Sequence, residues 1–139
     1  MPSLMLSCTA SRHRAVRSQA LPFPAMELWH NPRCSKSRAA KSLLDERAVS
    51  YVERRYLDDP PDVATLDQVL TALEKEPWEI ARLGEDMARQ LDLRGWPHDR
   101  EKWLEVLVAN PILIERPILV ADDGRAALGR PPEAIESLL

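Results

Sequence analysis

The stretch from Met26 to Leu57 constrains the fold most. Met26-Glu27-Leu28-Trp29-His30 is a short, largely apolar run that stops at Asn31-Pro32, and a proline biases the residue before it away from helix. From Ser35 to about Ala48 there is neither Gly nor Pro. Ala39, Ala40, Leu43 and Leu44 recur there at one-face spacing with charges opposite, which predicts an amphipathic helix. Val49 to Leu57 then sets Tyr51, Val52 and Tyr56 among charges and closes at Asp58-Asp59-Pro60-Pro61, the pattern of a second strand. Strands joined through one helix lie parallel, so the segment reads as a βαβ unit.

The middle of the chain reads as helical. Leu66, Val69, Leu70 and Leu73 fall at i, i+3, i+4, i+7 behind Asp62 as N-cap, and Pro77 breaks the run. Shorter segments, Trp78 to Leu83 and Glu85 to Leu93, precede Gly95-Trp96-Pro97. Asp99 then caps a helix with Trp103, Leu104, Leu107 and Val108 on one face, which Pro111 ends. Asp123-Gly124 between Ile118-Leu119-Val120 and Ala126-Ala127-Leu128 predicts a two-residue hairpin, and Pro131-Pro132-Glu133 opens a last short helix ending at Leu139. The order βαβ, helical insert, ββα predicts an α/β fold of thioredoxin-like type, with a small mixed sheet. A length of 139 residues suits one such core.

Residues 1–25 differ in kind. They hold Arg12, Arg14 and Arg17 but no Asp or Glu, and are expected to be a disordered extension or a start assigned upstream of Met26; a targeting role lacks a clear cleavage pattern. The expected domain is 26–139. Of the 19 Lys+Arg, those three lie in the leader, so 16 face all 22 Asp+Glu in the domain, a formal charge of -6. An acidic body gives no electrostatic case for nucleic acid, and no stretch approaches the roughly 18 apolar residues of a membrane span. A cytoplasmic protein is expected. The two cysteines, Cys8 and Cys34, make neither a disulfide framework nor a CxxC or HxxxH metal pattern, so no metal is expected.

Chemistry therefore centres on Cys34, in the turn His30-Asn31-Pro32-Arg33-Cys34-Ser35-Lys36-Ser37-Arg38 directly before a helix. A free thiol has a pKa of about 8.5, which unpaired N–H groups at a helix start and nearby cations lower to roughly 3.5–7.5. The same amides, with Arg33, Lys36 and Arg38, suit an oxyanion. An inert buried thiol prefers apolar surroundings, unlike this polar, cationic turn. His30, Arg33 and Arg38 are candidate tuners of the thiol pKa. For His30 a purely structural hydrogen bond within the turn is an equal alternative.

This turn resembles the active-site loop of the glutaredoxin-coupled arsenate reductase family. Asn110-Pro111-Ile112-Leu113-Ile114-Glu115-Arg116-Pro117-Ile118 and Gly129-Arg130-Pro131-Pro132-Glu133 resemble its second and third motifs, in the family's order from Met26 to Leu139. The resemblance implies Cys34 as the nucleophile on arsenate and Arg116 and Arg130 as holders of its oxygens. Arg82, in Ile80-Ala81-Arg82-Leu83-Gly84-Glu85, fits the third arginine place, and Ser35 is counted with the arginines as substrate-binding. Arginine suits this task, being permanently charged with a planar fork of donors; the alternative for each is a solvated surface charge. The related fold also implies a cis Arg116-Pro117 bond facing the thiol. No tightly bound cofactor is implied; glutathione is the expected co-substrate and glutaredoxin the protein partner.

Spacing separates this reading from its neighbours. Phosphatase-like reductases place five residues between Cys and Arg, whereas Cys34 and Arg38 enclose three. A dithiol oxidoreductase or an Spx-like regulator of RNA polymerase carries Cys-x-x-Cys, and Ser37 stands at the second position. The runners-up are that regulator and another glutathione-dependent thiol chemistry. An adaptor using Trp29, Trp78, Trp96 and Trp103 ranks behind both, since tryptophans of this number serve packing more often than contact.

Overall fold

A computed structural model describes residues 25–139. The expectations for the leader and for Cys8 lie outside the described residues, Ala25 apart.

A four-stranded sheet has the order β2-β1-β3-β4. Strand β1 (Glu27–Trp29) leads through helix α1 (Ser35–Glu46) into β2 (Val52–Arg54), and β1 and β2 pair in parallel, Glu27 opposite Val52. Strands β3 (Ile118–Val120) and β4 (Ala126–Leu128) complete the sheet antiparallel, Leu28 opposite Leu119 and Leu119 opposite Ala127. The mixed, thioredoxin-like sheet expected from the sequence is present.

Successive side chains on a strand point to opposite faces, and this register separates two cores. Leu28, Leu119 and Ala127 pack with Ala40 and Leu44 of α1 and with Ile135. Trp29, Ile118 and Val120 face the larger core, built with Leu66, Val69 and Leu70 of α2 (Val63–Leu73) and Trp103, Leu104 and Leu107. Strand β3 is buried on both faces, which explains its unbroken apolar sequence. Among the described residues no helix is long and apolar enough to cross a membrane.

The helical insert holds α3 (Asp86–Gln90) and α4 (Arg100–Ala109) between 3-10 turns. Asp62 caps α2 by accepting the Thr65 N–H at 2.8 Å, and Asp99 sits at the same place on α4. Three expectations change. The segment from Trp78 to Leu83 is helical only at its start, in the turn Pro77–Glu79. Beyond it Ala81 bridges Ile114 as an isolated antiparallel pair, with Arg82 N–H donating to Leu113 O at 2.8 Å and Glu115 N–H to Ile80 O at 2.9 Å. The hairpin loop has three residues rather than two. Ala121 N–H reaches Arg125 O at 2.7 Å and Gly124 N–H reaches Ala121 O at 3.0 Å, with Gly124 at φ 93, a turn followed by a left-handed residue that only Gly adopts freely. The last helix, Pro132–Leu138, is 3-10. Ala134 N–H donates to Pro131 O and Leu139 N–H to Glu136 O, the i to i+3 pattern of the tighter coil.

Candidate active site

The turn before α1 is built by Asn31. Its side-chain oxygen accepts the Arg33 N–H at 3.0 Å and its carbonyl accepts the Cys34 N–H at 3.0 Å. Cys34 thereby becomes the N-cap, in an extended conformation with φ -96 and ψ 124. Arg38 N–H already donates to Cys34 O at 3.0 Å, while the N–H groups ahead of it have no carbonyl one turn back. Two of them, on Ser37 and Lys36, act on the Cys34 sulfur.

Cys34 is a free thiol, 9% exposed. Burial pushes its pKa up, but the Ser37 N–H, the Arg116 guanidinium and the Lys36 N–H outweigh it, and the thiol lies below its ordinary value. Arg130 approaches from the other end of the chain, its Nη2 3.8 Å from Sγ. Arg130 Nε donates to the Arg116 carbonyl at 2.7 Å, so the two arginines are held as a pair.

Glu115 ties the arginines together. Its Oε1 accepts from Arg82 Nη1 at 2.7 Å, lies 3.1 Å from Arg130 Nε, and accepts the Arg116 N–H at 3.3 Å. Glu85 holds Arg82 Nε at 3.2 Å. The Arg116 guanidinium acts on Cys34 and on Tyr56, yet its Nε and Nη1 are buried and without a hydrogen-bond partner. Beside it is the hydroxyl of Tyr56, a fully buried residue, also unpartnered. Unpaired buried donors are uncommon in native proteins and call for an explanation.

The structure therefore brings Cys34, Arg116 and Arg130 together, with Arg82 joined to them through Glu115. The Arg116-Pro117 bond is cis, and so is Arg130-Pro131. The expected pKa tuners are placed differently. Arg33 and Arg38 are exposed, and Arg38 Nη1 donates to Pro32 O at 2.9 Å; the groups that lower the thiol pKa are instead the Ser37 and Lys36 amides and Arg116. His30 is buried and its Nδ1 shares a 2.7 Å hydrogen bond with Ser37 Oγ, which also accepts the Asn31 N–H at 3.0 Å. That is the structural alternative, a brace for the turn. Ser35 is exposed at the first position of α1.

Sequence reasoning missed three residues. Glu115 and Tyr56 were read only as parts of a motif and a strand. Gly129 was read only as part of a motif: its N–H donates to Pro117 O at 2.8 Å, and a Cβ there would sit 2.7 Å from Pro117 Cγ. Its absence of a side chain is the only signal for that close approach.

A mixed thioredoxin-like sheet, with a thiol at the N-cap of its first helix and Arg116 and Arg130 beside that thiol, defines the class: a thioredoxin-like α/β protein. The chain belongs to the ArsC family, whose model matches residues 29–138. An arsenate reductase of Neisseria meningitidis is 41% identical over 118 residues, covering 84% of this chain and all of that one. An uncharacterised protein from the glnII region of Streptomyces viridochromogenes is 45% identical over 117 residues, 82% of this chain and 98% of its own. Among solved structures, an arsenate reductase from Vibrio cholerae superposes with a TM-score of 0.77 at 32% identity, covering 82% of this chain and 97% of that one. The global regulator Spx of Enterococcus faecalis matches more distantly, at 25% identity over 114 residues.

Proposed function

We propose that this protein reduces arsenate to arsenite with Cys34 as nucleophile, glutathione as co-substrate and glutaredoxin as the protein that restores the thiol. One observation carries the reading: a thiol with a lowered pKa lies 3.8 Å from Arg130 and beside the unpaired donors of Arg116. The unprotonated oxygens of a tetrahedral anion satisfy such donors, which hold the anion against the sulfur.

In the first step the Cys34 thiolate attacks arsenic(V) of the dihydrogen arsenate anion. A proton joins the departing oxygen, water leaves, and a sulfur–arsenic bond is formed. The thiol of glutathione then attacks Cys34 Sγ. The sulfur–arsenic electron pair passes to arsenic, which leaves as arsenite, and Cys34 is left in a mixed disulfide with glutathione. A glutaredoxin thiol takes up the glutathione and returns Cys34 as a thiol. Arg116 and Arg130, with Arg82 behind Glu115, offset the charge on the oxyanion as oxygen departs. An external thiol is needed because Ser37 occupies the place of a resolving cysteine and is engaged with His30 and Asn31. The same substitution speaks against an Spx-like switch.

A coupled assay with arsenate, glutathione, glutaredoxin and a glutathione-recycling system tests this. Cys34→Ser is expected to lose turnover with its thermal unfolding unchanged, and Arg116→Ala or Arg130→Ala to weaken arsenate binding by about 1.5–3 kcal/mol, the range for hydrogen bonds to charged groups. Turnover retained by Cys34→Ser removes the nucleophile; a wild-type protein that is inert with glutathione but active with another thiol donor removes the glutathione route.

A further inference from the structure

Tyr56 lies just beyond β2, before the Asp58-Asp59-Pro60-Pro61 turn. It is fully buried in the larger core, yet its hydroxyl has no hydrogen-bond partner. A buried tyrosine that serves packing alone usually finds a partner for its O–H, because leaving that group unpaired is destabilising. The polar groups that act on this hydroxyl are Arg116, Arg82 and Cys34. Arg116 can donate to the phenolic oxygen, but arginines cannot accept, so they offer no acceptor for the phenolic hydrogen. A thiolate is a weak acceptor beside oxygen, and Cys34 is already served by the Ser37 and Lys36 amides and by Arg130.

The unpaired groups share one character. Arg116 Nε and Nη1 and the Tyr56 hydroxyl are all donors, buried, and close to the same sulfur. Water can accept, but it also donates, and its hydrogens would meet cations. The unprotonated oxygens of a tetrahedral oxyanion can only accept, and they carry the negative charge that cations favour.

Resting on the anion-binding reading of this site, we propose that Tyr56 is a substrate-binding residue whose hydroxyl donates a hydrogen bond to an oxygen of the tetrahedral anion, beside Arg116. Burial pushes its pKa up to about 12 against the lowering effect of Arg116 and Arg82. The hydroxyl therefore keeps its proton throughout the working pH range and acts as a fixed donor rather than a base. Its role is to orient and to select an anion with an unprotonated oxygen facing β2.

Tyr56→Phe separates this role from packing, because the ring stays and only the hydroxyl goes. Binding of inorganic sulfate and of arsenate is measured by calorimetry on the full chain without glutathione, alongside thermal unfolding in anion-free buffer. The inference expects affinity for both anions to fall about tenfold or more, and the anion-free protein to unfold at the same or a higher temperature, since an unsatisfied group has been removed. In the coupled assay KM rises more than kcat falls. Tyr51→Phe, in which the lost hydroxyl belongs to the Lys41 and Asp45 pair on the surface, leaves anion affinity unchanged. In the wild type, the Tyr56 ring resonances shift on sulfate addition with the same saturation as the calorimetry. Unchanged anion affinity in Tyr56→Phe overturns the inference, as does a wild-type protein that binds neither anion. Anion binding that depends on Tyr56 in a protein that turns over no arsenate overturns the proposed reduction and leaves Tyr56 as assigned.

Discussion

His30 shows how a single buried group makes the active turn depend on pH. Desolvation lowers its pKa below the ordinary value of 6.5, and Glu53 opposes this in part. The unfolded chain then binds a proton more readily than the folded one, so the stabilisation is present above about pH 6.5 and is lost as pH falls through that value toward the folded pKa. Chemical unfolding measured from pH 8 down to 5 is expected to show that loss, and His30→Gln is expected to flatten it; an unchanged slope in the variant contradicts a neutral, buried His30. At this scale the sequence was partly legible. Cys34, Arg116 and Arg130 stood out because their motifs are local. Glu115 and Tyr56 did not, because their roles come from contacts with residues far along the chain: Arg82 meets Glu115 at 2.7 Å only once both are folded.

Among the elements, the junctions around β3 and β4 hold the arginines. Arg116 directly precedes Pro117 at the entry to β3, and Arg130 follows Gly129 at the exit of β4. Antiparallel pairing of Ile118 with Leu128 sets these two ends side by side, and the Gly129 N–H to Pro117 O bond fastens them. A methyl group on Gly129 has to displace the ring of Pro117, which is not a flexible side chain. Gly129→Ala is therefore expected to cost about 1–3 kcal/mol, the usual range for overpacking, and to weaken sulfate affinity by moving Arg116 and Arg130 apart. Equal stability and equal affinity in denaturant and binding titrations would show that the junction yields freely. Strands β3 and β4 and the cap at Asp62 were readable in advance because propensity, turn chemistry and packing agree there. The Ala81 to Ile114 bridge was not: Trp78 to Leu83 carries a helical composition, and its pairing with a distant segment overrides that preference.

For the molecule as a whole, the fold converts separated stretches of chain into one electrostatic unit. Residues 30–38 supply the thiol and amides, residues 115–130 supply Arg116, Arg130 and the Glu115 carboxylate, and Arg82 joins them from the helical insert through Glu115. The two cores on opposite faces of the sheet fix the spacing between them, α1 resting on one core and the helical insert with Arg82 on the other. The acidic balance of the chain gave no hint of this cationic site, because composition averages over the surface while the site gathers three arginines by topology. If the turn amides and that gathering are what lower the Cys34 pKa, its reactivity must depend on the fold. The most direct measurement is the pH dependence of iodoacetamide alkylation at Cys34, followed on its own peptide by mass spectrometry in folded protein and in urea. The account predicts a midpoint for the folded protein below the roughly 8.5 of a free thiol, a return to that value in urea, and a midpoint between the two for Arg116→Ala. One common midpoint for folded and unfolded chains would contradict it.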